Sequence, residues 1–144
     1  MLVFETLRRD HDRGRFDCGA AELNSYLRTL ASQDIRRRLS TCVVLTERGS
    51  AKILGFYAMS AGAYCLEGHA GHSLSAAYGV VPFATLGRLA VDKSCQGMGL
   101  GSQLVIHAIR LAHDSKIPFA GVATDPLNKD LVPFYEKYGF RRVE

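Results

Sequence analysis

A glycine-rich turn between a strand and a helix is the segment of this sequence best suited to chemistry. The turn runs through Gln96-Gly97-Met98-Gly99-Leu100-Gly101, after the mostly apolar segment 83–91 and before the amphipathic segment 102–112. Backbone N–H groups exposed in such a turn lie at the positive end of the helix, where a phosphate or pyrophosphate can bind. The residue types therefore predict a site for a nucleotide or a coenzyme.

The spacing of the glycines separates this turn from the two common nucleotide loops. A P-loop requires Gly-x-x-x-x-Gly-Lys-Ser/Thr, and no lysine occurs between Lys93 and Lys116. A dinucleotide-binding turn requires Gly-x-Gly-x-x-Gly, but Gly97-x-Gly99 is followed by Ser102 at the third position. A strand-to-helix turn without any ligand is the plain alternative that the turn alone leaves open.

A second chemically distinctive segment lies further along the chain, from Asp125 to Phe140. Asn128 is a good N-cap for a helix, and Gly139 suits the left-handed residue at its end. Tyr135 and its aromatic neighbours fall on adjoining helical positions. A tyrosine hydroxyl can donate a proton in catalysis, although a tyrosine on such a helix can also be a core aromatic.

Together, the Gln-x-x-Gly-x-Gly turn and the Asn-to-Tyr-x-x-x-Gly-Phe segment resemble the coenzyme A site of the GNAT N-acetyltransferases. The resemblance implies an acetyl-CoA cosubstrate whose pantetheine arm pairs with the strand before the turn, like an added β-strand. It implies that the pyrophosphate meets amides of the turn, and that Tyr135 is the general acid for the departing thiolate. The implied coenzyme contacts are Leu89, Ala90, Val91, Gln96, Gly97, Met98, Gly99, Leu100, Gly101, Ser102, Asn128 and Phe134.

The sequence offers no convincing general base, and this bears on the acceptor amine. Acetyl transfer needs a neutral amine, a proton for the thiolate, and a group that polarises the thioester carbonyl, for which the Val91 amide is a candidate. Glu67, Asp92 and Glu136 are base candidates only by residue type. An α-amine, with a pKa of roughly 7.7–8.0, is partly neutral already, whereas a lysine amine at roughly 10.4 needs deprotonation. The sequence therefore favours an α-amine as the acceptor.

The N-terminal half extends the resemblance to one branch of the family. Its motifs are His11-Asp12-Arg13, Phe16-Asp17-Cys18-Gly19, Leu23-x-x-Tyr26-Leu27 and the segment 31–38, followed by Gly55-Phe56-Tyr57 and Gly87-Arg88. As a set they are similar to the GNAT toxins of type II toxin–antitoxin systems. That resemblance implies acetylation of the α-amine of aminoacyl-tRNA, which blocks translation. It also implies a ribbon-helix-helix antitoxin as partner and, as in many members, a homodimer.

Three consecutive arginines, Arg36, Arg37 and Arg38, are the candidate tRNA contacts. Arginine forms bidentate contacts with phosphates, and phosphate contacts position a nucleic acid without reading its sequence. A solvated helix face is the other interpretation of the same charges. Two other functions stay open at this stage: acetylation of a protein or small-molecule amine, and a non-catalytic module that binds a partner or the coenzyme.

Composition places the chain among ordinary globular domains. Its 144 residues are 47% hydrophobic and 22% charged, with a formal net charge of +4, which permits a polyanionic partner without requiring one. The four cysteines form no Cys-x-x-Cys pair, so we expect reduced thiols. Cys65, His69 and His72 lack an evident fourth ligand, so we expect no metal. The pattern contains no signal peptide or membrane span, and we expect a cytoplasmic protein.

These motifs need a sheet with helices on both sides to position them. The hydrophobic patterns predict strands at 2–7, 41–46, 52–60, 83–91 and 118–124, and helices at 20–30, 31–39, 99–113 and 128–138. Asp17 is predicted to cap the first helix, and residues 61–82 to form a long loop.

The order of these elements is β-α-α-β-β-β-α-β-α-β, with a final strand from Phe140. It matches the GNAT acyl-CoA N-acyltransferase fold, of the α/β class with a mixed sheet. We expect one such domain over residues 1–144. We also expect it to be shortened at the C-terminus, because a GNAT domain normally has one more strand.

Overall fold

A five-stranded mixed sheet organises the computed structural model, which describes residues 1–65, 79–125 and 132–141. The first four strands are antiparallel neighbours in chain order, and the fifth runs parallel to the fourth. This confirms the predicted α/β class with a mixed sheet. The strands are β1 (Leu2–Thr6), β2 (Thr41–Glu47), β3 (Gly55–Tyr64), β4 (Val81–Val91) and β5 (Val122–Thr124).

Helices cover both faces of this sheet. On the N-terminal side, α1 (Ala21–Ser25) continues through a π-helical turn, Tyr26–Leu30, into α2 (Ala31–Arg36). On the C-terminal side are α3 (Leu100–His113) and α4 (Val132–Glu136). The buried stripe of α3 has the helical spacing that its sequence predicts, and consists of Leu100, Leu104, Val105, Ala108 and Ala112.

The alternation of side chains along each strand divides the core into two clusters. Val43 and Leu45 of β2 join α3 and Tyr135 in one cluster, on what we call the α3 face. Cys42 and Val44 join Tyr26 and the other residues of the α1 region in the second, on the α1 face. Both faces of the sheet are therefore buried. Successive side chains of β4 point alternately to the α3 face and to the α1 face.

The predicted loop over residues 61–82 is wrong at both ends, because β3 continues to Tyr64 and β4 begins at Val81. The two strands pair along a long hairpin, in which the Tyr64 hydroxyl lies 2.7 Å from Thr85 Oγ1 and the Tyr64 ring packs edge-on against Phe83. This sequence is small and glycine-dotted, so its periodicity is weak. Cross-strand pairing, which a sequence does not display, gives it strand structure.

Two further predictions need correction. The strand predicted at 118–124 contains only Val122–Thr124. Asp17 does not cap α1, whose N-cap is Ala20 with no side-chain hydrogen bond. Instead the Asp17 carboxylate accepts hydrogen bonds from the Gly19 amide and the Asn24 side chain, both at 2.9 Å. Asp17 therefore orders the loop before the helix.

Several predicted features lie outside the described residues. These are Glu67, His69, His72, Asn128 and the continuation of the strand that was predicted to begin at Phe140. Phe140 itself is described, and its ring packs edge-on against Tyr135.

Candidate active site

The fourth and fifth strands form a fork, and the candidate site is built around it. β5 pairs with β4 only along Ala84–Leu86, opposite Val122–Thr124. β4 continues five residues further, to Val91, and this part pairs with β3 on its other edge. Within the described chain no strand covers the edge that β5 leaves. Its backbone groups are therefore available to an extended ligand, as in the addition of a β-strand.

A β-bulge marks the point at which the fork opens. Ala58 of β3 pairs with Arg88, whereas its neighbour Met59 pairs with Leu86, so Gly87 is the extra residue of β4. A bulge bends a strand and increases its twist. Since Leu86 is the last residue of β4 that pairs with β5, the bend falls where the two strands separate.

The hydrogen-bond alternation of an antiparallel ladder identifies which backbone groups face the gap. The Asp92 amide donates to the Leu54 carbonyl at 2.9 Å, so Asp92 and, by alternation, Ala90 direct their backbone groups toward β3. Leu89 and Val91 direct theirs into the gap. The Val91 carbonyl accordingly accepts a hydrogen bond from the Gln96 side chain, at 2.9 Å. Of the three residues predicted to pair with a pantetheine arm, two therefore face the gap and Ala90 does not.

The glycine turn follows directly after this open edge. Gly97 and Gly99 have φ values of +82° and +79°, and no atom lies within 4 Å of where a Cβ would stand on either. Gly99 is the N-cap of α3 and provides no side-chain cap. The first amides of a helix lack partners within it, so this open turn presents donors and the positive end of the helix dipole to a bound anion.

Gln96 and Asp92 hold the turn in place. The Gln96 side chain donates to the Cys18 carbonyl at 3.0 Å as well as to Val91. The Asp92 carboxylate accepts hydrogen bonds from the Asp17 amide at 2.9 Å, and from the amide and hydroxyl of Ser94 at 3.0 and 2.6 Å. Both side chains are therefore directed at protein groups.

These bonds argue against Asp92 as the general base. Burial raises the pKa of Asp92, but the hydrogen bonds from Ser94 and Asp17 outweigh burial and lower it overall. A carboxylate with a lowered pKa is a weak base, and both Asp92 oxygens are already occupied by donors. Of the other two base candidates, Glu136 is exposed and Glu67 lies outside the described residues.

Tyr135 lies at the closed end of the fork. Its side chain is buried and forms a hydrogen bond with Thr124, the last residue of β5. The Thr124 hydroxyl in turn donates to the Leu86 carbonyl at 2.9 Å. Burial raises the pKa of Tyr135, and the bond with Thr124 opposes this effect. The phenol is therefore protonated at neutral pH and lies where the two strands part.

Aromatic side chains from the end of the chain connect the fork to the glycine turn. Phe134 packs edge-on against Tyr135, and its ring lies 3.5 Å from where a Cβ would stand on Gly101. The Tyr138 hydroxyl donates a hydrogen bond to the Ser102 hydroxyl in the first turn of α3. The predicted contacts around 97–102 and 134–135 are thus brought together, although they are more than 30 residues apart in the sequence.

Other residues near the site were not found by sequence reasoning. Thr124 and Tyr138 contact predicted site residues, but the sequence gives no signal of either contact. Arg88, on β4, lies over the ring of Tyr26. From the sequence, these two residues were named only within family motifs, and neither was given a role in the site. The arginines Arg36, Arg37 and Arg38 lie at the end of α2 and just beyond it, and all three are exposed.

The described residues contain neither a metal-ligand cluster nor a membrane-spanning helix. In residues 1–65, 79–125 and 132–141, no cluster of three or more His, Cys, Asp or Glu side chains is placed to hold a metal ion. Among the helices described there, none is both long and apolar enough to cross a membrane.

Comparison with known proteins agrees with the geometry of the fork and turn. The model of the acetyltransferase (GNAT) family matches residues 4–140. The chain belongs to the GNAT acetyltransferase family. This confirms the resemblance drawn from the glycine turn, the predicted fold and the predicted enzyme class of N-acetyltransferase.

Individual GNAT proteins are also similar to the chain. A tRNA-acetylating toxin of Mycobacterium tuberculosis (strain ATCC 25618 / H37Rv) is 33% identical over 128 residues, which are 87% of this chain and 75% of that protein. The structure of AtaT complexed with acetyl-methionyl-tRNAfMet has a TM-score of 0.90 and 29% identity, over 100% of this chain and 89% of that one. A mutant AtaT toxin bound to the C-terminus of the antitoxin AtaR and acetyl-CoA has a TM-score of 0.82 and 30% identity, over 100% and 86%.

Proposed function

We propose that this protein is a toxin that uses acetyl-CoA to acetylate the α-amine of aminoacyl-tRNA and so blocks translation, with residues 1–144 forming one acetyltransferase domain. The observation that carries the proposal is the fork between β4 and β5, with the glycine turn at its open end and the Tyr135 phenol at its closed end. The relatives support the choice of acceptor, because one is named a tRNA-acetylating toxin and AtaT forms a complex with acetyl-methionyl-tRNAfMet.

The residues around the fork fit a coenzyme A molecule. The backbone groups of Leu89 and Val91 face the gap, where they can pair with the two amides of a pantetheine arm. The amides of 97–102 are exposed at the start of α3, where they suit a pyrophosphate. Phe134 and Asn128 complete the proposed binding residues. When bound, acetyl-CoA supplies an acetyl group that is activated as a thioester.

Two groups of the chain serve the transfer step. Tyr135 carries its proton at neutral pH, as a phenol ordinarily does, and burial raises its pKa further, so it can donate that proton as negative charge develops on the departing sulfur. The Val91 amide faces the gap and can stabilise charge on the thioester oxygen. Asp92 is occupied by donors, and the described residues supply no strong base at the fork, which suits an α-amine that is partly neutral already.

Exposed arginines and the similar proteins support the proposed acceptor and protein partners. Arg36, Arg37 and Arg38 form an exposed basic run that can bind tRNA phosphates. A ribbon-helix-helix antitoxin is the proposed partner, supported by the AtaT complex with the antitoxin AtaR. A homodimer in the cytoplasm is the proposed state of the toxin.

An acetyl-transfer assay tests this function. We expect the protein, with labelled acetyl-CoA and a total pool of charged tRNA, to produce N-acetyl-aminoacyl-tRNA. Tyr135→Phe should lower kcat by about 100-fold or more, with little change in the Kd for acetyl-CoA. Tyr64→Phe is the matched control, because it removes a tyrosine hydroxyl to which the proposal assigns no role, one that bonds to Thr85 on the paired strand, and its loss should leave kcat unchanged.

Three outcomes would contradict the proposal in different ways. Acetylation of free amines or a protein, but of no charged tRNA, would indicate a GNAT enzyme with another acceptor. Coenzyme binding without release of thiol in the presence of any of these acceptors would indicate a non-catalytic module. Undiminished turnover by Tyr135→Phe would remove this phenol from the mechanism.

A further inference from the structure

An arginine on the opposite side of the sheet from the coenzyme contacts belongs to no part of the site described so far. Side chains alternate along β4, and Ala90 belongs to the buried cluster of the α1 face. Arg88, two residues earlier, lies on the same face. Its guanidinium carbon is 3.9 Å from the ring centroid of Tyr26. The Arg88 residue is exposed, whereas Tyr26 is buried, with 3% of its surface accessible.

Tyr26 is a fixed platform for this guanidinium. Its ring stacks on Phe56 at an interplanar angle of 14°, and its hydroxyl donates to Asp34 at 3.3 Å. A guanidinium that rests on an aromatic face keeps its N–H donors at the edge, where they remain free to bind an anion. Among the ion pairs formed within the described residues, none includes Arg88. The side chain is thus oriented and exposed, and no carboxylate of the described residues pairs with it.

The position of Arg88 relative to the fork indicates which anion it meets. Arg88 follows the Gly87 bulge, where β4 leaves β5. On the α3 face Phe134 and Tyr135 pack against the core beside the fork. We therefore expect an acceptor amine to approach the thioester from the α1 face. Arg88 lies on that face beside the fork, within reach of groups that flank the amine.

We infer that Arg88 binds a phosphate in the single-stranded 3′ end of the acceptor tRNA, with its guanidinium oriented by Tyr26. This inference rests on the proposed function. In an aminoacyl-tRNA the phosphate nearest to the reacting amine lies one nucleoside away. A planar guanidinium matches the oxygens of a phosphate with two parallel N–H bonds. The contact places the aminoacyl end at the fork, so it acts on the acceptor and not on acetyl-CoA.

Kinetics of two variants with charged tRNA test this role. Arg88→Gln should lower kcat/KM for charged tRNA by about 10- to 100-fold, which is the usual effect of losing a hydrogen bond to a charged group. It should also reduce the slope of log kcat/KM against log salt concentration by about 0.7, as expected for one phosphate contact to a single strand. Arg110→Gln removes the same charge from the exposed side of α3, and it should change neither quantity.

A minimal acceptor separates phosphate binding from a general defect. The probe is a 3′-amide-linked aminoacyl-adenosine, which has the α-amine and the ribose but no phosphate. Arg88→Gln should acetylate this probe as fast as the wild type and should bind acetyl-CoA with unchanged Kd. Arg88→Lys, which keeps the charge but loses the paired donors, should recover only part of the activity on tRNA.

Several results would overturn the inference. They are an unchanged kcat/KM of Arg88→Gln for charged tRNA, an unchanged salt slope, an equal loss on the probe without phosphate, or an equal effect of Arg110→Gln. In each of these cases the wild type still acetylates charged tRNA, so the proposed function stands. A wild type that acetylates no charged tRNA would overturn the proposed function, and this inference with it.

Discussion

The glycine turn permits a comparison of two substitutions that carry the same backbone strain. Gly99 in the turn and Gly49 between β2 and β3 both have a φ of +79°, and at both an added Cβ would meet no atom within 4 Å. A non-glycine residue in this left-handed conformation costs about 1–2 kcal/mol. Gly99→Ala and Gly49→Ala should therefore each lower the free energy of unfolding by about 1–2 kcal/mol, and the Tm by roughly 3–8 °C.

Coenzyme binding should separate the two variants. The methyl group of Gly99→Ala would enter the space that we propose for the pyrophosphate, beside the first amides of α3, whereas that of Gly49→Ala would not. Loss of one hydrogen bond to a charged group weakens binding by about tenfold or more. Isothermal titration with acetyl-CoA should thus show a Kd raised at least about tenfold for Gly99→Ala and unchanged for Gly49→Ala.

The paired design makes the result decisive. Equal acetyl-CoA affinity in both variants and the wild type would refute the assignment of the turn as the pyrophosphate site. A large loss of affinity in Gly49→Ala as well would show that binding depends on global stability. Thermal unfolding of the unliganded variants checks that the strain is the same at the two positions.

Two further predictions concern stability. Burial, with a smaller effect from Arg110, lowers the pKa of His107, which forms a 2.7 Å hydrogen bond with Tyr57. The unfolded chain therefore binds the proton more readily. The stability from neutral His107 is complete above about pH 6.5 and is lost as the pH falls through the lowered folded pKa. Urea unfolding at pH 7.5 and 5.5 should show a smaller fall in stability for His107→Gln than for the wild type, and an equal fall would refute this. Asp92→Asn places an NH2 group among three donors, so it should lower the unfolding free energy by about 1–3 kcal/mol and raise the KM for acetyl-CoA. If Asp92→Asn has the unfolding free energy and the acetyl-CoA KM of the wild type, the donors from Asp17 and Ser94 must find other acceptors.

The sequence alone predicted those features that depend on residues close together in the chain. The apolar stripe of α3 has helical spacing, and Gly97 and Gly99 stand where the backbone needs a positive φ. Tyr135 was proposed as the general acid because its segment resembles a family signature. Such features depend on residues within one or two turns of each other, so a linear pattern displays them.

The sequence could not predict features that depend on register and on contacts between distant segments. The hairpin of β3 and β4 is an example, since a weakly patterned segment becomes a strand only through its partner. The orientation of Gln96 toward Cys18 and the occupation of Asp92 by Asp17 join segments more than 70 residues apart. The first directs the Gln96 side chain toward protein carbonyls that hold the turn, and the second argues against Asp92 as the general base, which residue type alone had allowed.

The sequence by itself thus determined that a glycine turn leads into a helix and that an aromatic helix follows. The tertiary structure decided that β5 leaves β4 after Leu86, that Leu89 and Val91 face the resulting gap, and that the Tyr135 phenol lies at its closed end. It also placed Arg88 on Tyr26, 62 residues away in the chain. The physical reason is that strand register and side-chain alternation select which backbone groups and side chains share one side of a sheet. Only the assembled sheet sets that register.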